Sequence, residues 1–128
     1  LNPTKLHIFP TGYLLIESGI PTTVSYISNT TPIPANKPEI AACTALAGEQ
    51  LGLKCIYLEA GSGALNAVSK EIIQAVRKMI SIPLIVGGGL RSAEQITTAF
   101  KAGADIVVIG TAIEKDILFL EEIKNIQK

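Results

Sequence analysis

Tyr57 and Glu59 stand two residues apart in the stretch YLEAGSGA, directly before Gly61, Ser62 and Gly63. In an extended chain a spacing of two puts both side chains on one face. A carboxylate facing a sheet interior is costly unless it meets a ligand, water or a cation. Glu59 is therefore a candidate to bind a hydroxyl or to act as a base. Tyr57 taken alone equally suits a core filler. Glycines recur twice more after apolar runs, as Gly87-Gly88-Gly89 behind IPLIV and as Gly110-Thr111 behind DIVVI. Glycine lets backbone approach a ligand closely, and the amides it bares near helix starts can cradle a phosphate. A single such turn is ordinary punctuation. Three of them after successive strands point to an anion site on one rim of an α/β fold. The glycines do not form GxGxxG at one turn, which speaks against a dinucleotide fold.

The elements that must carry these residues follow from the apolar pattern. Residues 6–16 (LHIFPTGYLLI) read as a strand interrupted at Pro10-Thr11-Gly12, with Tyr13 near its end. Residues 22–28 (TTVSYIS) are β-branched and alternating and predict a short hairpin partner outside the main sheet. A helix is predicted from Pro38 to Leu51, with Ile40, Cys43, Ala47 and Leu51 on its inner face, Leu46 beside them, and Gly52 as its stop. Residues 54–60 form the strand that bears Tyr57 and Glu59. Ser69 caps a helix whose Ile72, Ile73, Val76 and Ile80 make an apolar stripe. Residues 82–86 form a third strand. Ser92 and Gln95 have capping-box spacing for a helix that ends at Gly103. Residues 105–109 form a fourth strand, and Asp116 caps a last helix with Leu120, Ile123 and Ile126 inward. Strand and helix thus alternate four times, which predicts parallel pairing with right-handed crossovers.

Length and composition agree with one small domain of α/β class, or part of a larger one. The 128 residues are 48% hydrophobic, poor in aromatics and formally uncharged overall. That argues against a nucleic-acid partner and leaves a small anionic ligand open. Cys43 and Cys55 fit no metal or redox spacing and read as two buried small hydrophobes in a reduced, cytoplasmic compartment. His7 is the sole histidine, so a multi-histidine metal site within the chain is excluded. No apolar stretch reaches the roughly 20 residues of a membrane span, and LNPTKLHIFP has no signal-peptide pattern.

At YLEAGSGA, GGGLRSAEQI and AGADIVVIGTAIE, and through IFPTGYLLIESG and IPANKPEIAACTALAGEQLGLKCIYLEAGSGA, the sequence resembles the geranylgeranylglyceryl phosphate synthase family with its bacterial heptaprenyl relatives. The resemblance implies a TIM (β/α)8 barrel of which this chain is the C-terminal half. Residues 5–16 would be strand five and residues 105–109 strand eight. It further implies a prenyltransferase that joins a long-chain prenyl diphosphate to sn-glycerol 1-phosphate with Mg²⁺, giving an ether-lipid precursor. By position, Glu59 would bind the glycerol hydroxyls and help deprotonate the attacking one, and Tyr57 would contact glycerol and face the developing allylic cation. Ser62, Gly63, Gly88, Gly89, Gly110 and Thr111 would hold the phosphate, while Tyr13 would border the prenyl groove. The family's Mg²⁺-binding aspartate belongs to strand one, outside this sequence, so no metal ligand is assigned. Homo-oligomer formation and peripheral contact with a membrane belong to the same expectation.

Two other readings share the glycine turns: a different phosphate-binding barrel enzyme, such as an isomerase or a flavin-using oxidase, and a non-catalytic half-barrel. The first lacks the YxEAGSG motif; the second is set apart by the missing aspartate strand, without which activity is expected to be absent even with Mg²⁺. Four units do not close a barrel, so the segment alone is expected to expose two sheet edges and an apolar inner face, and to be aggregation-prone or dimeric.

Overall fold

The computed structural model describes residues 5–126. Of the opening stretch considered for a leader, the first four residues therefore lie outside the described ones. Four strands, β1 (Thr11–Leu15), β2 (Cys55–Glu59), β3 (Leu84–Gly87) and β4 (Ile106–Val108), pair in sequence order and all in parallel. Between and after them lie α1 (Thr23–Ser28), α2 (Pro38–Gln50), α3 (Lys70–Met79), α4 (Ala93–Ala102), α5 (Thr111–Lys115) and α6 (Phe119–Ile123). This is a parallel (β/α) half-barrel with all strand C-termini on one rim.

Alternation along the strands divides the sheet into two faces. Ile56, Leu58, Leu84 and Val86 are fully buried beneath the helices. They meet Ile72, Ile73 and Val76 of α3, and Ala99 and Ala102 of α4, in one core. Each large aliphatic side chain buried this way contributes about 1.5–3 kcal/mol. The opposite face carries Tyr13, Tyr57, Ile85 and Ile106 in one row across the sheet, and Leu15, Glu59, Gly87 and Val108 in the next. It is open: Tyr13, Ile106 and Val108 are all exposed.

The helix signals behave as their chemistry requires at α3 and α4. The Ser69 hydroxyl accepts the Ile72 N–H at 3.3 Å, and that of Ser92 accepts the Gln95 N–H at 3.2 Å. Only half of the expected capping box forms, because the Gln95 side chain takes the Arg91 N–H instead, at 2.7 Å. At the base of the sheet, Arg77 bridges to Asp105 at 2.9 Å and donates to the carbonyls of Ile80 and Ile82. Asp105 also accepts the Leu84 N–H at 2.9 Å. These bonds fix the C-terminus of α3 to the starts of β3 and β4.

Four expectations are corrected. Residues 22–28 are helical, not a hairpin strand. Ser25 receives the Thr22 N–H and returns a bond to the Thr22 carbonyl, and Asn29 ends the turn in the left-handed region at φ 50°. Past the end of β1, the chain that follows this helix makes one parallel bridge, Ile16 with Ile33.

The inner face of α2 is Ala41, Ala45 and Gly48, while Ile40, Cys43, Ala47 and Leu51 face outward. A helix that lies close to a sheet needs small residues at the contact. A Cβ on Gly48 would already stand 3.2 Å from the Ile56 side chain. In consequence Cys43 is exposed and only Cys55 is a buried thiol. At the C-terminal end an unforeseen short helix, α5, follows Gly110 directly. Asp116 is not the cap of α6, whose N-cap is Leu118; its carboxylate instead accepts the Leu118 N–H in the preceding turn at 2.9 Å, and Phe119 is the buried residue of α6 while Leu120 is exposed.

Candidate active site

Three backbone turns leave the sheet at one rim and border one cavity of about 250 Å³. Tyr13, Tyr57, Glu59, Ser62, Gly63, Gly88, Gly89, Gly110 and Thr111 all line it. Every residue singled out in the sequence for chemistry therefore borders the same space, although the residues come from four separate units. Val24 from α1, and Leu90, Arg91, Val108, Ile109 and Ala112, complete the wall. Of these, Arg91 is the one charged group that the sequence reading passed over. Its signal was available, since it directly follows the third glycine turn in GGGLRS.

The turn after β2 is closed by the Ala64 N–H on the Gly61 carbonyl at 3.1 Å. That bond uses neither the Ser62 nor the Gly63 N–H. The turn is separated from the start of α3 by residues 64–69, so here a tight turn supplies the amides where the sequence suggested a helix start.

Glu59 is fixed at the centre of the rim. Its Oε1 accepts the Gly61 N–H at 2.6 Å. Gly88 leaves it room: at φ 84°, a Cβ there would sit 2.6 Å from that same oxygen. Gly87 does the same for Tyr57, because any Cβ at 87 would collide with the phenol oxygen.

The rings of Tyr13 and Tyr57 are stacked, with centroids 5.3 Å apart and planes inclined by 16°. Although Tyr13 is exposed as a residue, partial desolvation against the cavity wall pushes its phenol up to about 12, and the neighbouring Glu59 charge and its hydrogen-bonding oxygens push the same way. Tyr57 is raised further, again chiefly by burial and then by Glu59 and Tyr13. Both phenols are thus held neutral beside a carboxylate, and the pair presents π-surface at the cavity wall. Tyr13 accordingly sits against the Tyr57–Glu59 pair rather than at a distance from it.

Among the described residues no group of three or more His, Cys, Asp or Glu could hold a metal ion. His7 is exposed and stands alone. The one carboxylate of the cavity is Glu59, so the residues present do not fit a Mg²⁺ site. No described helix is long and apolar enough to cross a membrane.

A four-stranded parallel half-barrel whose glycine turns and single carboxylate converge at the strand C-termini defines a protein of the (β/α)-barrel class. The model of the PcrB family matches residues 3–128, and the chain belongs to that family. It is 52% identical over 126 residues to a protein of Spirosoma linguale named geranylgeranylglyceryl phosphate synthase, covering 98% of this chain and 51% of that one. It is 56% identical over 106 residues to one of the same name from Thermococcus gammatolerans, covering 83% of this chain and 41% of that one. The chain thus spans about half the length of the curated relatives it matches. Among solved structures it superposes with TM-score 0.85 and 34% identity on the (S)-3-O-geranylgeranylglyceryl phosphate synthase of Thermoplasma acidophilum, solved in complex with sn-glycerol-1-phosphate. That match covers 93% of this chain and 47% of the other. The wild-type enzyme of Thermoplasma volcanium gives a TM-score of 0.81 at 38% identity, with 91% and 46% covered.

Proposed function

We propose that this chain is the acceptor-binding half of a prenyltransferase that joins a long-chain prenyl diphosphate to sn-glycerol 1-phosphate. The observation that carries the reading is the single rim on which a fixed carboxylate, two neutral stacked phenols and three glycine turns border one cavity. The solved relative with sn-glycerol-1-phosphate bound supports the identity of the acceptor.

In this reading the backbone around Ser62, Gly63, Gly88, Gly89, Gly110 and Thr111 holds the phosphate through its amides. Glu59 accepts hydrogen bonds from the glycerol hydroxyls. As the hydroxyl oxygen bonds to C1 of the prenyl chain and the C1–diphosphate bond breaks, the hydroxyl proton passes to the Glu59 carboxylate. Tyr57, with Tyr13 stacked behind it, turns π-surface toward the allylic carbon as positive charge develops there. Holding the two reactants in line supplies much of the rate. The donor diphosphate, with its Mg²⁺, belongs to residues outside this chain, since the cavity described has no ligand set for a cation. A homo-oligomer, peripheral membrane contact made to reach a lipid substrate, and a cytoplasmic location are parts of the same reading.

The test has two arms. In calorimetry the chain is expected to bind sn-glycerol 1-phosphate more tightly than ribose 5-phosphate. A polypeptide that carries this sequence within a complete barrel is expected to transfer label from glycerol 1-phosphate into a solvent-extractable prenyl ether when Mg²⁺ and a prenyl diphosphate are supplied. Equal or tighter binding of ribose 5-phosphate, or no ether product, would overturn the proposal.

A further inference from the structure

We propose that Arg91 is a positioning residue for the phosphate cradle: its guanidinium clamps the turn after β2 to the turn after β3. The proposal rests on the phosphate-site reading above but on different observations. One guanidinium nitrogen donates to the Leu65 carbonyl at 3.2 Å and another to the Ala64 carbonyl. These carbonyls immediately follow Ser62 and Gly63, the central residues of the turn closed by Ala64 on Gly61. At its other end Arg91 is itself anchored, because its N–H donates to the Gln95 side chain at 2.7 Å, one turn into α4. A rigid helix thus holds a planar fork, and the fork holds the loop.

The two turns are also in van der Waals contact. A Cβ on Gly89 would stand 2.9 Å from the Ala67 nitrogen and 3.0 Å from the Asn66 carbonyl. The loops have no slack against each other, and a change in how Arg91 grips one changes the gap that a phosphate must fit.

The placement is otherwise unfavourable. Arg91 lies just before the Ser92 cap of α4, where the helix dipole repels a cation. Among the described residues no carboxylate lies within 4.0 Å of it. With no carboxylate on it, the guanidinium spends its donors on two adjacent carbonyls and so shapes the loop that carries them. The fork geometry matters, since two separate guanidinium nitrogens reach the two carbonyls, whereas lysine offers the same charge from a single nitrogen without the planar fork.

The experiment compares this sequence, carried within a complete barrel, with its Arg91→Lys and Arg91→Met variants by calorimetry with sn-glycerol 1-phosphate, and by amide hydrogen exchange without ligand. Both variants are expected to bind roughly tenfold more weakly, the loss of one or two charge-assisted hydrogen bonds expressed through the site. Their melting temperatures should stay close to the parent, because the side chain is exposed. The amides of Ala64 and Asn66, which bond to the Gly61 and Ser18 carbonyls, should exchange roughly tenfold faster in both variants. If Arg91→Lys keeps full affinity while Arg91→Met loses it, charge alone acts and the clamp is wrong. Unchanged exchange at Ala64 and Asn66 would also overturn it. Absence of any binding by the parent chain would sink the phosphate-site reading instead, and the exchange comparison would still decide the clamp.

Discussion

Gly88→Ala tests the geometry most directly. The residue adopts φ 84°, and an added Cβ would lie 2.6 Å from Glu59 Oε1, 2.6 Å from the Gly61 nitrogen and 2.9 Å from the Ala60 nitrogen. Ordinary van der Waals contact begins at 3.4 Å, so the carboxylate and the turn must retreat by roughly 0.8 Å. Holding alanine in the left-handed region costs about 1–2 kcal/mol, and relieving the overlap adds about 1–3 kcal/mol. The displaced group is the one that fixes the site, because Glu59 Oε1 holds the Gly61 N–H at 2.6 Å. A displacement approaching 1 Å in a positioned group is worth up to about 100-fold. Titration calorimetry should therefore show sn-glycerol 1-phosphate bound roughly 10- to 100-fold more weakly, with a melting temperature lowered by roughly 7–19 °C in the same preparation. Full affinity in a variant whose structure retains the Glu59–Gly61 bond would refute the claim that Gly88 makes room for the carboxylate.

Three further outcomes follow from the same coordinates. Glu59→Gln, placed in a complete barrel, should lower prenyl transfer by about 10²–10⁴ with an unchanged circular dichroism spectrum; near-normal turnover removes Glu59 as the base. Ultraviolet titration should find the Tyr13 phenol ionising near 12 instead of 10. Because the folded value is raised, the folded chain keeps a proton that the unfolded chain releases above pH 10. That stabilisation is complete below pH 10 and disappears as pH climbs through 12. Glu59→Gln should bring the Tyr13 value only partly back, because burial is the larger cause; a full return to 10 would contradict this ordering. Arg77→Met strips the Asp105 bridge and two carbonyl bonds from the base of the sheet. It should cost about 2 kcal/mol in urea unfolding, discounted because both partners are partly exposed; an unchanged midpoint would assign those bonds no role in stability.

The repeating units and the glycine turns were legible because both are local. A period-two apolar run, a serine cap and a glycine each carry their meaning within a few residues, as Ser69, Ser92 and Gly103 illustrate. What was misread depended on neighbours distant in sequence. The segment around Val24 has β-branched residues that suit a strand, but the Thr22–Ser25 bonds fold it into a helix that reaches the cavity. In α2 the larger apolar residues pointed to the wrong face. Hydrophobicity ranks Ile40 and Leu51 above Ala41 and Gly48, whereas the distance between helix and sheet, which only packing sets, selects the small ones.

By itself, then, the sequence determined the order of the four strands and of the three longer helices that follow β1, β2 and β3, their parallel pairing and the residue types available at each strand end, since backbone sterics and side-chain periodicity act over short stretches. Only the tertiary structure decided that Tyr13 stacks on Tyr57, that Glu59 is held by Gly61 under the space left at Gly88, and that Arg91 grips the facing loop. Those contacts join residues from different units. Their distances follow from strand register and sheet twist, which no local pattern encodes.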